Sequence, residues 1–441
     1  MSKQGRSNPV LPVGHCAEYE QLTRRAFLGS GLRSLAALAL GETLVAYPAW
    51  MPRVAFAPPH VGPRGDTLVC IFLRGGADGL NMVIPHGDEG YYEHRSVLSI
   101  APPDATQAEY RVLDLDGFFG LHPSLAPLQE IYAAGDLAPI HATGAPDESR
   151  SHFEAMALME RGASTSDYNG WLGRHLATLD TGNDSALRAI AIGDMLPASL
   201  TGAVSATALQ SIAEHHLQAR EEREGAIQSL LAALYEQGED ILAIAARQTL
   251  ASIETLSQIG TENRPPRGRD YPEGDFGTAM RTVARLIDAD VGVEVACVDL
   301  GGWDTHAAQG SGQGQMANLM DQLAQGLAAF YEDLQPLMDS LTVVVMSEFG
   351  RRVQENGALG TDHGHGNMML VMGGGIRGGQ VYARWPGLQP EQLVGPGDLA
   401  ITTDYRDVLG EIIRKRLNNP QVDAVFPGYT VSEIGLAVER E

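Results

Sequence analysis

The stretch TVVVMSEFGRRVQENGALGTDHGHGNMMLVMGGG, Thr342 to Gly375, decides how this chain is read. Val343 to Met346 is a short continuous apolar run, the pattern of a strand buried on both faces of a parallel sheet. Ser347, Glu348, Phe349 and Gly350 follow at what would be its C-terminal end, where open α/β sheets place their ligands. A turn-rich segment then delivers Asp362, His363 and His365, and a second apolar run, Met368 to Met372, stops at three glycines. Carboxylate and imidazole held at the mouth of a sheet are the donors a divalent metal needs.

Other apolar runs repeat this plan. Thr67 to Leu73 ends in Arg74-Gly75-Gly76-Ala77-Asp78-Gly79, and Leu137 to Thr143 ends in Gly144-Ala145-Pro146-Asp147. Val291 to Leu300 ends in Gly301-Gly302-Trp303-Asp304-Thr305-His306. Helical patterns lie between them, such as Met316 to Met338, which sets Leu319, Leu323, Leu327, Phe330 and Leu334 on one face. Strands alternating with helices predict an α/β fold with a doubly wound, mostly parallel sheet. Residues 205 to 262 are rich in alanine, leucine, glutamate and glutamine with helical periodicity. With the polar stretch that follows, they predict a helical insertion over about 205–275 at one edge of the sheet. No internal repeat is visible.

Residues 1–57 read as a twin-arginine signal peptide. Arg24 and Arg25 precede a modest apolar run from Leu32 to Tyr47, and Ala55-Phe56-Ala57 offers a cleavage site. Arg33, Glu42 and two prolines leave the apolar stretch too short to span a bilayer, so no stable membrane span is expected after cleavage. The twin-arginine translocase is the expected partner during export, and the periplasm or exterior the destination. Residues 58–441 then form one large α/β domain. The whole chain has a net charge of −24, and removing a leader with six basic and three acidic residues leaves −27. The remainder holds one lysine, Lys415, which argues against a lysine nucleophile, a lysine-cradled phosphate loop and a nucleic-acid partner. Cys70 and Cys297 lie within apolar runs and read as buried strand residues rather than a disulfide.

Four of the predicted strands end in loops that carry acids, and the Asp362 to His365 segment adds histidines. Loops of this kind converging on one rim predict a hydrolytic centre with one or two metals. Ser149 and Ser151 follow the second strand. Ser151 and Glu154 have capping-box spacing, and the helix start there would also favour an anion. Arg150 beside them has the planar guanidinium that grips phosphate or sulfate. Glu348 has Arg351 and Arg352 within reach as salt-bridge partners.

The segments LRGGADGLNMVIPHGDEGYYEHR, SRSHFEAMALMERG, GGWDTH, SEFGR and DHGHGN are similar to those of the exported twin-arginine family numbered 1501 among domains of unknown function. The order of strands, acids and histidines also resembles the alkaline phosphatase-like superfamily of phosphatases and sulfatases. The resemblance implies that Asp78, Asp304, His306, Glu348 and His363 bind metal, with His365 as a further ligand or an orienting group. It implies a nucleophile at Ser149 or Ser151 with Arg150 as the anion contact. It further implies a divalent cation, whether Zn, Ca or Mg, and a small anionic ester as substrate. The sequence departs from the superfamily in three places: Asp304 and His306 are two residues apart, Phe349 stands where a metal histidine would follow the acid, and neither serine has a nucleophile signature. The alternative these departures support is a catalytically silent relative that binds a ligand or a protein partner.

Overall fold

The computed structural model describes residues 65–163, 169–183, 185–193, 195–203, 206–209, 249–253, 255–256 and 265–440. The expected signal peptide and most of the expected helical insertion, residues 210–248 and 257–264, lie outside the described residues.

The described residues build a mixed α/β fold around an eight-stranded sheet. Its strands are β1 (Thr67–Leu73), β2 (Leu137–Gly144), β3 (Ala189–Ile192), β4 (Thr207–Leu209), β5 (Val295–Leu300), β6 (Leu341–Met346), β7 (Asn367–Met372) and β8 (Thr403–Asp404). They lie in the order β8-β2-β7-β6-β1-β5-β3-β4. β1 pairs in parallel with β5 and β6, Cys70 lying opposite Cys297 on one side and Val344 on the other. The sheet is mostly parallel, as the apolar runs predict. β7 is the exception within this sheet, running antiparallel to both β6 and β2. The cause is local. A parallel return needs a crossover of a dozen or more residues, usually helical, whereas residues 347–366 fold back on themselves at one rim.

Alternation along the strands feeds two cores. Val69, Ile71, Leu73, Val343, Val345, Leu370 and Met372 face one side, where α3 (Asp275–Asp288) and α4 (Gln315–Asp333) pack Met280, Val283, Met320, Leu323 and Leu327 on them. Leu68, Cys70, Phe72, Val344, Met346, Met369 and Val371 face the other, under α1 (His152–Arg161), α2 (Trp171–Thr178) and α5 (Tyr405–Lys415). Each fully buried apolar side chain contributes about 1.5–3 kcal/mol, so the central strands are the most stable part of the fold. The helix expected over 316–338 ends at Asp333, where Pro336 cannot continue it and a 3-10 turn leads into β6. Among the described residues no helix is long and apolar enough to cross a membrane.

This topology sends the C-terminal ends of β1, β2, β5 and β6 to the same rim. Because β7 is reversed, its first residue, Asn367, lies there too.

Candidate metal centre

The loop between β6 and β7 is a folded hairpin. Gly350 donates its N–H to the His365 carbonyl at 3.0 Å, Gly364 donates to Gly350 at 2.8 Å, and Arg352 donates to Asp362 at 3.0 Å. Arg351 and His363 therefore face each other as an antiparallel bridge. Glycine is required along the seam, because a Cβ on Gly350 would lie 1.9 Å from the Gly366 carbonyl oxygen. The hairpin carries His363 over the ends of β1 and β5.

Four side chains meet around one carboxylate oxygen. Asp304 Oδ1 lies 2.8 Å from an Arg351 terminal nitrogen, 3.1 Å from His306 Nε2, 3.1 Å from His363 Nε2 and 3.5 Å from His152 Nε2. His306 Nε2 and His363 Nε2 are themselves 2.9 Å apart. Each imidazole is held from behind through Nδ1. His152 Nδ1 meets Glu348 Oε1 at 2.7 Å, His363 Nδ1 meets the Arg150 carbonyl at 2.8 Å, and His306 Nδ1 meets Asp362 Oδ1 at 3.2 Å. His152 Nε2 is buried and has no hydrogen-bond partner. His152, Asp304 and His363 each offer one donor atom, all within 4.8 Å of one another.

Fixed charge surrounds this cluster. Arg351 is fully buried, with Nε on the Gly76 carbonyl at 2.6 Å, one terminal nitrogen on Thr361 at 2.9 Å, and the other on the carbonyls of Trp303 and Gly75 as well as Asp304. Burial alone would raise the Asp304 carboxyl. The three imidazoles and the Arg351 guanidinium around it overcome this and hold it far below the usual carboxylate range. Burial likewise opposes charge on His152, but Asp304 and Glu348 push its pKa up to about 9. Its hydrogen bond with Asp304 raises His306 against a smaller effect of burial.

The expected residues divide clearly. Asp304, His306 and His363 come together. Glu348 stands behind them: its Oε1 takes the Gly75 N–H at 2.9 Å and meets His152, so it orients an imidazole rather than facing the cluster. Its expected salt bridge to Arg351 or Arg352 is not formed, since Arg351 turns to Asp304.

Asp78, expected as a ligand, lies elsewhere. It is fully buried, bound in two places by Arg95 at 2.6 and 2.9 Å and by Gln309 at 2.7 Å, so both of its oxygens are engaged by side chains outside the cluster. His365, also expected as a ligand or orienting group, lends its backbone carbonyl to the hairpin instead. Its ring lies in the surroundings of Asp398, Arg150, Glu148 and Asp147, and burial lowers its pKa. Arg150, expected as an anion contact, is drawn to buried Asp398 at 2.5 Å. Ser149 donates to Glu154 at 2.6 Å, so the capping box expected for Ser151 is not made, and the Ser151 hydroxyl does not cap α1.

His152 and Arg351 are the site residues that sequence reasoning passed over. His152 opens a helix directly after the second rim loop, beside Ser149 and Ser151. Arg351 follows the acid by three positions, close enough to be read only as its salt-bridge partner. Phe349 proves to be a wall. Its buried ring packs 4.9 Å from the centroid of His152 and 4.9 Å from that of His363. Gly76, at φ +66, makes room for it, since a Cβ there would lie 2.5 Å from the Phe349 ring.

Several solved structures are similar in chain path at low scores. PsFucS1 sulfatase from Pseudoalteromonas sp. matches at 12% identity over 86% of this chain and 74% of its own, with a TM-score of 0.37. A protein in the alkaline phosphatase superfamily from Vibrio parahaemolyticus matches at 10% identity over 79% and 68%, with a TM-score of 0.31. Alkaline phosphatase from the Antarctic bacterium TAB5 matches at 10% over 71% and 93%, with a TM-score of 0.25. Among curated proteins none matches. The sequence profile described as "Protein of unknown function (DUF1501)" matches residues 66–409, and the chain belongs to that family.

Proposed function

We propose that this chain is an exported, metal-dependent hydrolase of phosphate or sulfate esters, delivered by the twin-arginine translocase. The observation that supports the reading best is the convergence of His152, Asp304 and His363 at the rim beside the start of α1. His152, His306, His363 and Asp304 would hold a divalent cation, which would supply polarisation of an ester oxygen and a lowered pKa for a neighbouring nucleophile.

The chain's own residues do the remaining work. Glu348, Asp362 and the Arg150 carbonyl fix the three rings by their Nδ1 atoms. Arg351 keeps Asp304 ionised and in place. Ser149 is engaged with Glu154, so Ser151, next to His152 and free of a capping bond, is the nucleophile. Its oxygen attacks phosphorus or sulfur, the ester bond breaks, the hydroxyl proton leaves with the departing alcohol, and water then hydrolyses the serine ester. The N-terminus of α1 favours the anionic group being transferred.

The test is turnover of an aryl phosphate and an aryl sulfate by purified protein with and without chelator. Chelator-sensitive turnover that Ser151→Ala abolishes is the expected result; no turnover of either ester sinks the reading. One observation favours a silent, ligand-binding relative instead: Arg150, the guanidinium nearest the serines, is committed to Asp398. Inactive protein whose His363→Ala variant loses a cellular role would favour that second reading.

A further inference from the structure

We infer that the centre takes a single first-row transition-metal cation through three imidazoles and Asp304, and that Arg351 fills the place a second cation would need. This rests on the metal-dependent reading above and narrows it to a class of ion and a number.

The nature of the donors carries the first part. Every ring has Nδ1 against an oxygen acceptor, namely Glu348, Asp362 or the Arg150 carbonyl. In that arrangement the neutral ring keeps its hydrogen on Nδ1, and a cation that displaces the Nε2 proton meets the Nε2 lone pair beside Asp304 Oδ1. Two such nitrogens, on His306 and His363, stand 2.9 Å apart, so that one shared proton, or one cation between them and Asp304, satisfies both. The buried, unpartnered His152 Nε2 points into the same space. Holding a ligating imidazole by its far nitrogen is the usual support for a metal ligand. Three nitrogens and one carboxylate oxygen suit zinc, cobalt or iron. Calcium and magnesium need a shell of six or more oxygens, which this rim does not present.

The second part follows from Arg351. Paired cations sit about 3.5–4 Å apart and share a bridging ligand. The carboxylate in position to bridge is Asp304, and Arg351 lies 2.8 Å from its Oδ1. Four backbone carbonyls anchor that guanidinium, those of Gly75, Gly76, Trp303 and Thr361, so it cannot swing away to admit another positive charge.

The test is titration of chelator-stripped, full-length protein with Co2+, followed by visible absorption and metal analysis. We expect one equivalent per chain with the absorption of a nitrogen-rich, low-coordinate site, and no competition from excess Ca2+ or Mg2+. His152→Ala should abolish that absorption. Should that variant fail to fold, Asp362→Asn, on a partly exposed residue behind His306, should weaken Co2+ binding by about 10–100-fold. Two equivalents, competition by Ca2+ or Mg2+, or unchanged Co2+ binding in a folded variant would overturn the inference. One equivalent of Co2+ without ester turnover would leave it standing while removing the hydrolase. Chelator-sensitive turnover with two equivalents bound would do the reverse.

Discussion

At the scale of single residues, two aspartates with the same sequence setting have opposite fates. Asp78 and Asp304 both follow a buried strand in a glycine-containing loop, and either reads as a ligand. What separates them is a partner 17 residues further on: Arg95 turns back and grips both oxygens of Asp78 inside the protein. Nothing in the spacing announces that turn. The histidines divide in the same way. His141 and His122 accept a backbone N–H at Nδ1, from Ala142 and Ser124, and face a carbonyl through Nε2, that of Val83 or Ser311. The three rim histidines reverse this, with Nδ1 against acceptors and Nε2 facing the cluster. Asp78→Asn tests the division directly. Removing one partner of a buried ion pair costs about 3–5 kcal/mol, because it leaves the other charge uncompensated. Urea denaturation should show that loss while metal content stays as in the parent. A folded Asp78→Asn variant with less metal would return Asp78 to the centre.

At the scale of elements, the long central strands were legible and the short edges were not. β1, β2, β5, β6 and β7 are apolar runs of six to eight residues, and on both faces they meet hydrophobic cores. β3, β4 and β8 have four, three and two residues, too few to show a pattern. The direction of β7 was also hidden, since composition does not distinguish a parallel run from an antiparallel one. The hairpin before it settles direction and site together, because its two arms set Arg351 opposite His363. Gly350→Ala should force those arms apart at the Gly366 carbonyl, at a cost of about 1–3 kcal/mol for the overpacking. On the proposed metal-dependent reading the hairpin positions a ligand, so metal affinity should fall along with thermal stability. Full affinity in the destabilised variant would mean that His363 is held without the hairpin.

At the scale of the whole molecule, two opposing effects set the response to acid. The chain carries a net charge of −24, and neutralising carboxylates near their usual pKa relieves self-repulsion as pH falls. The buried histidines act in the other direction and at higher pH. Burial lowers His122 and His141 to about 4 and His175 to about 3, all from 6.5. The folded state keeps these rings neutral, so below pH 6.5 the unfolded chain binds the protons and stability falls until the folded values are reached. For His141 the penalty is structural, since protonating Nδ1 would break the bond it accepts from Ala142. Glu411 adds to the loss at the acid end. Burial would raise its carboxyl, but N–H groups of Ala437 and Ile434 and the Lys415 ammonium bring it below 4.5; its contribution is present above that value and disappears as pH falls through the folded one. The histidines titrate before the surface carboxylates, so they win between pH 6.5 and 5. Unfolding free energy should fall across that interval with a slope of about 1.4 kcal/mol per pH unit for each proton taken up by the unfolded state. Denaturant melts at a series of pH values measure the slope, and His141→Gln should make it shallower. A stability that stays level from pH 7 to 5 would mean these rings are already free to protonate in the folded chain.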